Sequence, residues 1–344
     1  MIRLLTILAA LLAILVLAER SVTERERAHE QLYGTLRPLV PIEKGDVTQI
    51  VAVAGNGRTW RYVYIDSSWR YPAYFNAYIQ PQRIDHLLNS VLQSSASIVS
   101  TESGDLQRYG LLANSPTLTL LNTAGVPLMS LRLGRGAPDM RASESYVQIV
   151  GADTIYHLHA NAAHAFDSGD PPMLDMRLRP RALPSKSIAH ISFSGSPVLN
   201  TLHREQIESS DTPAMPGAPP TGPTYVWKGA FAEGGLRECV ANSAYAYVGF
   251  LERLSWSELR NPANHLADFT SARALYLADE EGAVDTLEVG LPSEAGTLLH
   301  YRTTGQVAVI PNEKAALLFP AASALLDSLP KPTPYERVEP FTPF

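Results

Sequence analysis

The chain has 344 residues, 45% of them hydrophobic and 18% charged, with a net charge of −6. That length exceeds one comfortable core, so two domains are the default expectation. The acidic balance and scattered arginines exclude a nucleic-acid surface, and the single cysteine, Cys239, excludes an intrachain disulfide and a Cys-based zinc cluster.

Residues 1–20 read as a signal anchor or transmembrane helix. An apolar run from Leu4 to Ala18 is broken only by Thr6 and contains Leu4, Leu5, Ile7, Leu8, Leu11, Leu12, Ile14, Leu15, Val16 and Leu17. At roughly −0.3 to −0.6 kcal/mol each, these favour membrane insertion by about 3 to 6 kcal/mol. Arg3 and Arg20 can snorkel to the two interfaces. Val16-Leu17-Ala18 would also serve as a cleavage site, which leaves a removed signal peptide as the competing reading. Residues 21–40 continue without a breaker as a polar helical stalk. The short tail before the apolar run favours placing the bulk of the chain outside the cytoplasm.

From residue 41 the chain says the same thing twice, with a first repeat at 41–168 and a second at 183–329. "PIEKGDVTQIVAV" and "LPSKSIAHISFSG" open the halves with alternation suited to a strand. A Trp segment follows in each, at Trp69 and Trp227. Next comes an amphipathic helix, with Ile84, Leu87, Leu88, Val91 and Leu92 on one face of the first. Leu236, Val240, Tyr247, Leu251 and Leu254 are the expected face of the second. After a polar connection, "LTLLNTAGVPLMSLRLG" (Leu118 to Gly134) is answered by "ALYLADEEGAVDTLEVG" (Ala274 to Gly290). A further strand, Gly turn, strand and short helix close each copy. Strand, strand, helix, then four strands and a small helix is an α+β order. Hairpin-length connections imply mainly antiparallel sheets, each covered by its long helix.

Three segments fall outside the repeats. A linker spans 169–182, and an insert at 208–224 is rich in Pro, Gly and Ser and expected to be disordered. A Pro-rich tail at 330–344 carries the terminal aromatics Phe341 and Phe344.

Candidate chemistry is sparse. His157 and His159 lie at strand spacing with His164 nearby, a pattern that can hold a metal. The matching stretch of the second copy, "VAVIPNEKA", has no histidine, so no metal and no cofactor are expected. Trp60, Tyr62, Tyr64, Trp69, Tyr71 and Tyr74 crowd one stretch. Cross-strand packing accounts for most of them, and the excess marks the best interface candidate. Gly55-Asn56-Gly57 reads as a hairpin turn. Gly134-Arg135-Gly136 lacks the context and the Lys of a phosphate loop, and Ser194 lacks that of a nucleophile elbow. No acid/base pair and no catalytic residue can be nominated.

The order of Trp69, Pro72, the helix, and then Leu106, Tyr109, Gly110 and Leu111 ahead of paired strands resembles a family. It is the uncharacterised repeat domain encoded beside, or fused to, membrane subunits of gliding-motility-type ABC transporters in bacteria. In the second copy Ala267-Asp268-Phe269 keeps the acidic and aromatic residues but lacks the following Gly-Leu. The resemblance implies an anchored, single-pass protein of the bacterial inner membrane with most of the chain in the periplasm, non-catalytic and partnered with an integral membrane complex. The expected function is therefore a scaffold or accessory subunit of an ABC-type transport system, or of a respiratory or photosynthetic complex. The alternative is a glycan-binding module using the Trp60–Tyr64 strand face; behind it stands a His-dependent metalloenzyme.

Overall fold

A computed structural model describes residues 37–39, 41–134, 144–166, 171–183, 187–207, 224–269 and 273–327. Residues 1–36, which hold the expected anchor and most of the stalk, the Pro-rich tail with Phe341 and Phe344, and nearly all of the insert lie outside the described residues; Arg37–Pro38, expected at the end of the helical stalk, form a strand instead. No helix among the described residues is long and apolar enough to cross a membrane. The chain divides into two compact units, with the boundary between Asp175 and Met176.

The first unit contains β1 (Arg37–Pro38), β2 (Gln49–Val53), β3 (Thr59–Ile65), β4 (Ser68–Tyr71) and β5 (Ala77–Tyr78). Helix α1 (Pro81–Leu92) follows, then β6 (Ser95–Ser100), β7 (Thr117–Leu121), β8 (Pro127–Leu133), β9 (Ser145–Ile149) and β10 (Ile155–Leu158). All pair antiparallel in the order β1-β6-β10-β9-β8-β7-β2-β3-β4-β5. Because β5 ends one edge and β6 sits near the other, α1 must carry the chain across the sheet. It does so with Pro81 in its first turn, where the missing N–H would lack a helical partner anyway. The expected apolar face, Ile84, Leu87, Leu88, Val91 and Leu92, is buried in one cluster with Ile50, Leu118, Leu131 and Val147 of the sheet.

The second unit contains β11 (His190–Ser194), β12 (Leu199–Ile207), β13 (Thr224–Phe231) and β14 (Gly235–Glu238). After α2 (Ala241–Arg253) come β15 (Glu258–Arg260), the short α3 (Pro262–His265), β16 (Arg273–Ala278), β17 (Val284–Ser293), β18 (Gly296–Tyr301) and β19 (Gln306–Ile310). Two short helices close it, α4 (Asn312–Ala316) and α5 (Ala322–Leu326). Its strand order is β14-β13-β12-β11-β16-β17-β18-β19-β15, again antiparallel throughout. Read from β15, this is the order of the first unit from β6, strand for strand. The protein is thus α+β, with two tandem antiparallel sheets and few helices.

The details differ from the sequence reading in four further places. Each unit carries more strands than expected before its helix, because the Trp segments themselves pair into the sheet: Trp69 on β4 and Trp227 on β13. A strand also follows each helix directly. Leu236 is not on the helix; the left-handed Gly234 and Gly235 break the chain there, and Leu236 lies exposed on the edge strand β14. Thr224, assigned to the insert by composition, opens β13.

The turn around Tyr109 explains its residues. Gly110 takes a φ of 66°, the Leu111 N–H donates to the Leu106 carbonyl at 2.8 Å, and Leu111 is buried. Gly134 passes so close that a Cβ there would lie 2.4 Å from the Tyr109 carbonyl oxygen.

Candidate functional site

The aromatic stretch divides between core and surface. Trp60 is buried and stacks on Phe166 with ring centroids 6.4 Å apart. Tyr62 is fully buried, donates its hydroxyl to the Pro172 carbonyl at 3.0 Å and packs against Tyr71. Trp69 is buried against Tyr64. Two of the three rings on the Trp60–Tyr64 face are therefore core, because β3 runs over the cluster that α1 covers. Tyr64 is 46% exposed, and Ile65 and Phe75 are 45% and 40% exposed. Tyr74 is half-buried with its ring against Phe75.

Two turns present these surface residues. Asp66 and Ser67 both have positive φ, 48° and 60°, as a two-residue turn of the hairpin type requires. Phe75 and Asn76 repeat the left-handed conformation at 51° and 53°. For a bulky residue such as Phe that conformation costs about 1–2 kcal/mol, and such strain gathers at functional positions.

The histidines sit elsewhere in the first unit. On β10, His157 pairs with Tyr146 and Leu158 with Ser145, which places Glu144 opposite His159. Leu158 and Ser145 point into the core; His157 and His159 point the other way. His157 Nε2 lies 3.3 Å from Glu144 Oε2, and His159 Nδ1 lies 3.7 Å from Glu144 Oε1. His164 is not part of this group. It lies exposed in the 3₁₀ turn Ala162–Phe166, its N–H directed at Asn161. Glu144 was missed in the sequence because it is remote from the histidines along the chain; only the β9–β10 register brings it to them.

A second polar group was also missed, in the other unit. Asp285 accepts hydrogen bonds from the Tyr301 hydroxyl and from Thr303 Oγ1, and Arg179 Nε lies 3.8 Å away. These residues, with Ile188 and Leu277, line a cavity of about 300 Å³. Burial first, and the bond to Asp285 second, push the Tyr301 hydroxyl well above its ordinary pKa, so it serves as a donor. Both oxygens of Asp285 are thus engaged as acceptors.

Equivalent strand positions show how these groups relate. Ser145 and Leu158 pair at the position of Thr297 and Ile310, so Glu144, His157 and His159 correspond to Gly296, Val309 and Pro311. The bulge at Leu128 brings Met129 to the position of Asp285. Where the first unit joins Arg132 Nη1 to Gln148 Oε1 at 2.9 Å, the second pairs Glu288 with His300. The strand frame is common to the two copies; the polar groups are not.

A family model described as a domain of unknown function (DUF4340) matches residues 69–214, from β4 of the first unit through β12 of the second. No curated protein and no solved structure shows a significant match to the chain.

Proposed function

We propose that this protein is a non-catalytic scaffold or accessory subunit of a larger membrane assembly, anchored by residues 1–20 with its two units outside the cytoplasm. The observation that carries the reading is duplication of shape without duplication of chemistry. A fold copied for a reaction would keep its reacting groups in at least one recognisable pair of positions. Here Glu144, His157 and His159 correspond in position to Gly296, Val309 and Pro311 of the other copy, and Asp285 corresponds to Met129.

The exposed Tyr64, Ile65 and Phe75 supply the kind of aromatic and apolar surface that protein interfaces use. The arrangement of Trp69, Pro72, Tyr109, Gly110 and Leu111, which resembles the transporter-associated repeat domain, favours a partner in an ABC-type transport system in the bacterial inner membrane. A respiratory or photosynthetic complex is the other assembly that could have taken up such a subunit.

The test is purification of the full chain from native membranes in mild detergent through a C-terminal tag. A membrane-spanning subunit should co-purify in stoichiometric amount, and the double variant Tyr64→Ser, Phe75→Ser should release it without lowering Tm. Reproducible isolation of the chain alone would refute the proposal.

A further inference from the structure

The group formed by Glu144, His157 and His159 carries a second role, independent of the scaffold reading. We infer that these three side chains form a binding site for one divalent transition-metal ion of the Zn²⁺ class. The donor set is two imidazoles and one carboxylate, a combination that leaves a fourth position open on zinc. One donor atom from each residue lies within 4.8 Å of the others.

The distances fit the ion. With zinc–ligand bonds of about 2.0–2.1 Å, two ligands on a tetrahedron lie about 3.3 Å apart. Glu144 Oε2 and His157 Nε2 are separated by 3.3 Å, and Glu144 Oε1 and His159 Nδ1 by 3.7 Å. These two separations run to different oxygens of Glu144, and rotation of His159, the more exposed of the two rings, can draw its nitrogen toward the ion.

The backbone does the positioning. His159 directly follows β10, residues two apart along an extended chain share a face, and the antiparallel register delivers Glu144 from the neighbouring chain segment. Tyr109 packs edge-on against Tyr146, and Tyr146 packs against His157, holding that ring from one side.

A plain ion pair leaves one feature unexplained. His157 Nε2 is buried, and no hydrogen bond reaches it among the described residues. Its nearest acceptor, Glu144, approaches outside hydrogen-bond geometry. A buried ring nitrogen without a partner is costly, and coordination to a cation would satisfy it. Glu144 also lines a cavity of about 710 Å³ with Gly110, Asn114, Ser145 and Asn161, so an ion held here lies beside space that water or a small ligand can enter.

The experiment uses the full chain, purified in detergent without a histidine tag and stripped with a chelator. Zn²⁺ is titrated against a chromophoric competitor, and Co²⁺ is added separately for its absorption spectrum. The expected result is one equivalent of Zn²⁺ per chain and intense visible Co²⁺ bands of four-coordinate type. His157→Gln, His159→Gln and Glu144→Gln should each weaken binding by more than the roughly 10–100-fold that loss of an outer-shell partner costs. His164→Gln should bind as the parent does. Metal-free melting curves show that each variant is folded, since all three side chains point away from the core. Absence of stoichiometric binding to the parent, or equal binding by the His157→Gln, His159→Gln double variant, would overturn the site.

Discussion

Asn122 and Asp279 make the same turn in the two halves of the protein. The Asn122 N–H donates to the Val126 carbonyl at 3.0 Å and its Oδ1 accepts from the Val126 N–H at 2.9 Å. The Asp279 N–H donates to the Ala283 carbonyl at 3.2 Å and its Oδ1 accepts from the Ala283 N–H at 2.9 Å. In each, a left-handed glycine, Gly125 or Gly282, donates back to the carbonyl of the first residue. Both side chains add a further bond to a loop that the backbone already closes, by accepting the N–H of Val126 or Ala283.

The two residues should therefore be interchangeable, while truncation should not be tolerated. Asn122→Asp and Asp279→Asn should leave urea unfolding nearly unchanged. Asn122→Ala and Asp279→Ala should each cost about 1 kcal/mol, the net worth of a hydrogen bond.

Glu288 gives the second unit an acid-sensitive contact. Burial by itself would push its carboxyl up, but hydrogen bonds from Arg302 and His300 outweigh this and hold it below its ordinary value. His300 Nδ1 lies 2.7 Å from Glu288 Oε2, and Arg302 Nε lies 2.9 Å from Oε1. A depressed carboxylate pKa stabilises the fold above the unfolded value, about 4.3, and that contribution disappears as pH falls through the folded value. Glu288→Gln should accordingly lower Tm at pH 7, and the difference from the parent should shrink as pH falls below about 4.3 and through the depressed folded value. Thermal unfolding of both proteins across that range reads the difference directly.

Tyr62 and Tyr64 stand two residues apart on β3 and should respond oppositely to mutation. Tyr62→Ala removes a fully buried ring, with an expected cost of about 3–5 kcal/mol by analogy with other large aromatic truncations. Tyr62→Phe keeps the ring but strands the Pro172 carbonyl, at about 1–3 kcal/mol. Tyr64→Ser at the exposed end of the strand should stay within roughly 0.5 kcal/mol of the parent. Equilibrium denaturation of the three variants separates core from surface.

The candidate sites were legible only in part. His157 and His159 declare themselves by their spacing, since residues two apart on a strand share a face whatever the fold around it. Glu144 does not, and neither does the set of Asp285, Thr303 and Arg179 around Tyr301, because each is assembled across strands or from separate segments. His164 shows the opposite error: closeness along the chain placed it with the other two, and the turn at Ala162–Phe166 carries it out of the group.

Local sequence determined the parts that depend on local physics. Alternation specified strands such as β2 and β7, the spacing of Ile84, Leu87, Leu88 and Val91 specified α1, and a short polar stretch ending in Gly specified the turns at Gly125 and Gly282. The duplication was visible for the same reason, since each element carries its own signal in both copies. Tertiary structure alone decided the strand order, because antiparallel pairing between β7 and β2 or β6 and β10 joins segments with no local relation. It also decided which ring of the aromatic stretch is buried. Period two places Trp60, Tyr62 and Tyr64 on one face, but only the reach of the packed cluster beneath that face determines that Tyr62 lies inside it and Tyr64 beyond.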